Sequence, residues 1–300
     1  MTRRLRALHL PVAVGGLALV LSACSSSASD GSAAEAVRTV KTSIGTVSVP
    51  EKIESVVVLE GRRDLDIVLS LGLPLAGFPY EGPESGLDLK APLADATAAA
   101  EADGAEKLFL ADEINLEAII EADPTVIVGR AEDVEPILDE LQAIAPVIPV
   151  GSHDEGVTWQ DDLRLVAEAT GTETRADELI AEHDAAIAAL KQKYPEQIAQ
   201  TTVAAIGYDL ETTEVQATRL QSIILTELGA SPSKASADAA ADTDSEGQEF
   251  SPERTLEAHG DAEAILCWPT PRTSGRPPRP TGSGSSCPRS PPAVSCDRTR

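Results

Sequence analysis

The chain has little of what redox and covalent chemistry draw on: four cysteines, four histidines, one methionine and eight aromatic residues in 300. No cysteine lies between residues 25 and 266, which excludes a disulfide framework and a cysteine-based zinc site in the body. There is no His-Glu-x-x-His, no Gly-x-Ser-x-Gly, no Gly-Lys-Ser/Thr phosphate loop and no Gly-x-Gly-x-x-Gly, so no enzymatic constellation is offered. Apolar runs long enough for a membrane span are also missing; the longest, Leu8 to Leu21, is about 14 residues against the ~20 that a spanning helix needs. Positive charge is scarce in the middle of the chain, where residues 25–267 carry 15 basic against 48 acidic side chains. Such a body repels phosphate backbones, and a nucleic-acid partner is excluded on that ground. What remains, 42% hydrophobic and 24% charged residues, is enough for a buried core.

The basic start has its own explanation. Arg3, Arg4 and Arg6 precede the apolar run, as in a secretory signal, and Leu21-Ser22-Ala23-Cys24 resembles a bacterial lipobox. Residues 1–23 therefore read as a lipoprotein signal peptide, with Cys24 the lipidated residue and residues 24–38 a Ser/Gly/Ala-rich tether. The expected location is the outer face of the cytoplasmic membrane, held by lipid.

Along the body, strand and helix signals alternate. A hairpin-like entry runs from Thr39 to Val49, and Ser55 to Leu59 is a short β-branched strand. Asp64 caps an amphipathic helix with Leu65, Ile67, Val68 and Leu71 inward. After an apolar run from Leu73 to Phe78 comes a polar, Ala-rich connection to about Gly104. Asn115 caps a helix from Leu116 to Ala122; a strand from Thr125 to Gly129, a helix from Glu132 to Ala145 and a strand from Val147 to Val150 follow. The spacing then predicts one long helix over 172–194, its stripe formed by Ala176, Leu179, Ile180, His183, Ile187 and Leu190. A second unit begins with the strand Thr202 to Ile206, continues through a helix from Leu220 to Leu228 and an acidic Ala/Ser/Asp loop, and ends in a short helix from Ser251 and a strand from Ala262 to Leu266. This grammar predicts an α/β protein of two lobes, each with a mostly parallel sheet flanked by helices, joined by one long α-helix. The boundaries are 39–171 for the first lobe, 172–196 for the linking helix and 197–267 for a partial second lobe.

Residues 268–300 hold eight Pro and six Arg and too few large apolar groups to fold. Because the change falls directly after a predicted core strand, the segment reads as out of frame; a genuine disordered tail is the other reading.

Taken in order, lipobox Cys24, Val57 to Gly72, Asn115-Leu116-Glu117, Asp123 to Val128, Ile144 to Val147 and Ser251-Pro252-Glu253-Arg254 resemble the helical-linker periplasmic binding proteins of ABC importers for ferric siderophores, haem and cobalamin. The resemblance stops at Trp268, which implies an incomplete second lobe. It implies a solute-binding lipoprotein that captures a ferric siderophore between the lobes, needs no cofactor, and delivers its ligand to an ABC permease with a cytoplasmic ATPase. It further implies that Glu117 and Glu253, each in the first turn of a helix, dock onto permease arginines.

For the ligand, the candidates are residues at predicted strand ends: Arg62, Arg63 and Arg130, with Trp159, from the first lobe, and Tyr208 and Arg219 from the second. Arginines there would focus positive charge for an anionic complex in an otherwise acidic body, and the aromatic rings would give flat apolar contact. Three alternatives stay open: a binding protein for haem or cobalamin, a metal-ion binder using His153 with scattered Asp, and a nonfunctional truncated product. His183 reads as a core or interface residue of the long helix, and His259 as an isolated loop residue.

Overall fold

The computed structural model describes residues 36–82, 93–111, 113–151, 157–208, 211–241 and 247–269. Cys24, His153 and everything beyond residue 269 lie outside them. The described chain opens on a hairpin, Val37–Thr42 (β1) against Gly45–Pro50 (β2), paired antiparallel. Its first strand starts inside the stretch expected to be tether. Val40, Val47 and Val49 turn inward and are buried, as alternation along a strand requires.

The first sheet is built from Val56–Val58 (β3), helix Arg63–Ser70 (α1), Leu75–Tyr80 (β4), helix Ala94–Ala102 (α2), Glu106–Leu110 (β5), helix Leu116–Glu121 (α3) and Val126–Arg130 (β6). After Ala131–Val134 (α4), a 3-10 turn and Leu138–Gln142 (α5), it closes with Val147–Val150 (β7). All five strands are parallel, in the order β5-β4-β3-β6-β7. The chain lays down β3, adds β4 and β5 on one side, then crosses back to add β6 and β7 on the other. The order therefore reverses between β3 and β6, and at such a point an open α/β sheet presents a crevice at the carboxyl ends of its strands.

Successive residues of these strands serve two cores. Val56, Val58, Val126, Val128, Ile148 and Val150 face one core, shared with the hairpin and α1; Val57, Leu59, Ile127 and Val147 face the other, under the helices at Ile119 and Leu141. Strands buried on both faces explain why the sequence runs of Val and Ile are continuous rather than alternating.

Two expectations are corrected here. The helix foreseen over 132–145 is broken into α4 and α5 by the 3-10 turn Glu135–Ile137, because Pro136 has no N–H to continue the ladder. The connection read as irregular contains α2, and β5 follows it as the sheet's edge strand.

The second part follows through Trp159–Thr170 (α6), Glu173–Lys193 (α7) and Pro195–Gln200 (α8). Thr158 and Asp161 form a capping box at the start of α6, and Gly171 ends it at φ 75°, a conformation glycine adopts at no steric cost. The 21-residue α7 is the predicted long helix, about 30 Å from end to end. Only the first half of its stripe is covered: Ala176 and Ile180 are buried, while Leu190 is 39% exposed.

The second sheet comprises Thr202–Tyr208 (β8), Thr213–Val215 (β9), helix Leu220–Leu228 (α9), Ser231–Pro232 (β10), helix Lys234–Ala241 (α10), Gln248–Phe250 (β11), a 3-10 turn at Pro252–Arg254, helix Thr255–His259 (α11) and Ala264–Pro269 (β12). Parallel β12 lies along one edge of β8; the other edge takes parallel β10 at its start and antiparallel β9 at its end, with β11 beyond. The sheet is thus mixed. The acidic Ala/Ser/Asp stretch expected as loop contains α10, whose Ala235 and Ala239 are buried. The core here is thin: Ala204, Ile206, Val215, Ala235 and Ala239.

Candidate functional site

The crevice between β3 and β6 is furnished by the turn from Leu59 to Arg63. The carboxylate of Asp64 accepts four backbone N–H groups, from Leu59 and Glu60 at 2.8 and 2.7 Å and from Gly61 and Leu65 at 2.8 and 2.7 Å. Asp64 is expected as a cap; it instead lies inside α1 and organises the loop in front of the helix. Burial, with Glu60 nearby, raises its carboxyl from 3.8 to about 6, since desolvation disfavours the charged form.

That loop holds two of the predicted arginines beside a third. Arg130, at the end of β6, lies 4.0 Å from Glu60 Oε1, and Arg62 reaches the same oxygen at 3.8 Å. The other oxygen of Glu60 accepts the backbone N–H of Arg63 at 3.1 Å. Arg63 Nη1 donates to Asp162 Oδ2 at 3.3 Å, and Asp162 Oδ1 accepts the N–H of Gly151, just past β7, at 3.0 Å. Burial raises the Asp162 carboxyl above its ordinary value. Gly151 sits at φ 66°, a conformation that favours glycine, and a Cβ there would come within 2.7 Å of Arg63 Nη1 and push that side-chain end aside.

The structure therefore brings Arg62, Arg63 and Arg130 together at the ends of the neighbouring strands β3 and β6. It corrects their electrostatic role. The sequence suggested unopposed positive charge; instead each guanidinium already faces a carboxylate, Arg62 also meeting Glu81 at 3.3 Å and Arg130 meeting Glu132 at 2.6 Å. Glu60 and Asp162 escape sequence reasoning because nothing in local spacing distinguishes them among 49 acidic residues; Arg63 and Asp162 are 99 positions apart.

Trp159 lies elsewhere in the arrangement. It is half-buried, and its ring meets His183 of α7 edge-on at 4.9 Å between centroids. His183 Nε2 is 2.7 Å from Glu227 Oε2 on α9, whose other oxygen accepts from Gln160 Nε2 at 3.4 Å. His183 is thus an interface residue: one carboxylate from the second part grips both α6 and the long helix. Glu227 is a second residue that the sequence did not single out.

Tyr208 ends β8 and is 45% exposed. Arg219 precedes α9 and faces Glu214 at 4.0 Å. Each makes its contacts within the second part, Tyr208 pairing with Thr213 on β9. His259 is not a loop residue: it ends α11, is buried, and bonds Thr213 Oγ1 at 3.1 Å against the Phe250 ring. Burial lowers its imidazole from the ordinary value.

Glu117 is exposed one residue into α3, behind an Asn115 side chain that accepts the N–H groups of Glu117 and Ala118 at 3.0 and 3.2 Å. Glu253 is exposed in the 3-10 turn before α11, and hydrogen bonds from its own backbone N–H and from Ser251 lower its carboxyl. Among the described residues no group of three His, Cys, Asp or Glu side chains is arranged to hold a metal ion, and no helix is long and apolar enough to cross a membrane.

The family described as "Periplasmic binding protein" matches residues 98–279, past Trp268, where the motif resemblance stops. The chain is 32% identical over 189 residues to the "Probable siderophore-binding lipoprotein YfiY" of Bacillus subtilis (strain 168), which covers 61% of this chain and 54% of the relative. It spans about half the length of the curated relatives it matches. Among solved structures, Staphylococcus aureus SirA complexed with staphyloferrin B aligns with a TM-score of 0.63 at 20% identity, covering 79% of this chain and 78% of that one. The petrobactin-binding protein YclQ of Bacillus subtilis aligns at 0.60 and 19%, covering 78% of each. At such identities the solved structures speak for the fold: a parallel sheet, a long helix and a second sheet in that order. With the family matched over more than half its length, the chain belongs to the periplasmic binding protein family.

Proposed function

We propose that this protein is an extracytoplasmic solute-binding lipoprotein that captures a ferric siderophore and delivers it to an ABC permease for iron uptake. The observation that carries this reading is the group of Arg62, Arg63 and Arg130 at the point where the parallel sheet reverses its order, held by Glu60 and Asp162. Guanidinium N–H groups fixed in direction suit the oxygen-rich rim of an iron chelate. The name of the Bacillus relative agrees. Tyr208 and Arg219 are proposed to meet the ligand from the second part, and Trp159 to report on it.

Any movement of the two parts relative to each other would strain the polar contact of Glu227 with His183 and Gln160. Glu117 and Glu253, exposed in first turns where a carboxylate is favoured, are proposed to dock onto permease arginines, with the ATPase on the far side of the membrane. Cys24 is proposed to carry the lipid.

The experiment is a fluorescence titration of the full chain bearing Trp268→Phe, so that Trp159 alone reports. Ferric siderophore complexes should quench it saturably, while bare zinc and manganese should not. Saturable response to the bare metals and none to any ferric complex would replace this reading with metal-ion binding.

A further inference from the structure

The charge of the ligand can be read from the same cluster, and this inference rests on the iron-uptake reading. Among the described residues, three guanidinium groups meet here, and the carboxylates within ion-pair reach of them are four: Glu60, Glu81, Glu132 and Asp162. These seven side chains sum to one negative charge before buried Asp64 is considered. The acids are not all surface groups that a ligand could push aside. The Glu60 side chain is 11% exposed and that of Asp162 4%, whereas Arg62 and Arg130 are 35% and Arg63 49% exposed. Solvent, and hence a ligand, meets the guanidinium edges first, with Glu60, Glu81 and Asp162 behind them and only Glu132, at 41% exposed, level with its arginine. Glu60 is the most constrained: one oxygen stands between Arg62 and Arg130 while the other holds the backbone of Arg63.

Such a site offers directional donors without net positive charge. Each guanidinium has five N–H groups, so the hydrogen bonds to carboxylates leave others for carbonyl or hydroxamate oxygens. A polyanionic complex would gain those same bonds but would have to sit against four acids, inside a body whose charge is already strongly negative. We propose that the site takes ferric complexes carrying no net negative charge, hydroxamate chelates rather than trianionic tris-catecholate ones, and that Glu60 is the residue that sets this preference.

The test compares a neutral ferric trishydroxamate with a ferric tris-catecholate on the full chain, read by Trp159 quenching in the Trp268→Phe background. The neutral complex should bind at least about tenfold more tightly. Added salt should strengthen the trianion by screening its repulsion and leave the neutral complex nearly unchanged. Glu60→Gln, which keeps the shape and removes the charge, should narrow the ratio about three- to tenfold by favouring the trianion. Glu81→Gln removes the other carboxylate on Arg62 and should act in the same direction, which keeps the test decisive if Glu60→Gln does not fold. A trianion bound as tightly as the neutral complex, or a ratio unmoved by both substitutions, overturns the charge preference while leaving iron uptake standing. Binding of neither complex overturns this inference, and if every other ferric complex also fails, the iron-uptake reading falls as well.

Discussion

Asp64 shows how one buried side chain sets the loop of the candidate site. Its four N–H donors hold the turn that carries Glu60, Arg62 and Arg63, yet burial keeps its proton more tightly bound in the folded chain than in the unfolded one. The stabilisation that comes with the protonated form is therefore complete below pH 3.8 and is lost as pH rises through about 6. Compared with the non-titrating Asp64→Asn variant, wild-type unfolding free energy should fall by roughly 3 kcal/mol across that window and stay level above it; urea unfolding at a series of pH values measures this. Gly151 supplies a second prediction at this scale. Gly151→Ala must strain φ 66° and displace the Arg63 guanidinium, and should cost about 1–3 kcal/mol while weakening ferric-complex binding, both checked on the purified variant. The arginines themselves were legible as residues at strand ends, because strand ends follow from local pattern. Their acidic partners were not, because a pairing across the sheet leaves no mark on neighbouring residues.

Among the elements, those that bury large β-branched side chains were legible: β3, β6 and β7 read as Val and Ile runs, and α7 as a long periodic helix. Those that failed did so for local reasons. In β5, two charged residues precede Leu108, Phe109 and Leu110, as an edge strand tolerates, and α10 buries only alanines, so its periodicity is faint. The α6–α7–α9 junction was half legible, since the helical stripe put His183 inward but nothing local called up Glu227. Removing that carboxylate with Glu227→Ala should cost about 1–3 kcal/mol and shift the emission of Trp159, because the His183 ring packed on the indole loses its fixed partner. Emission spectra and thermal melts in the Trp268→Phe background test both parts.

On the scale of the whole molecule, stability is unevenly shared. The first sheet buries Val, Ile, Leu and Phe on both faces, while the second rests largely on alanines around Ile206 and Val215. At about 25 cal/mol per Å² of apolar surface, alanine-lined contacts contribute far less. Ile265 and Leu266 of β12 remain 47% exposed. Amide hydrogen exchange should therefore be markedly faster in β8 and β12 than in β3, β6 and β7; equal protection in both sheets would show that the second core is stronger than its side chains suggest.

The order in which the second sheet receives its strands also bears on how the chain comes into being. Its central strand, β8, precedes Ala264, the first residue of its parallel neighbour β12, by about 60 positions. At ~5–20 residues per second, synthesis leaves that edge of β8 without its neighbour for roughly 3 to 12 seconds. Pairings of such sequence separation are also slow to form once the chain is free. The newborn protein thus has a finished first sheet well before a second one, and its period of greatest exposure to wrong strand partners falls between the arrival of Tyr208 and that of Trp268.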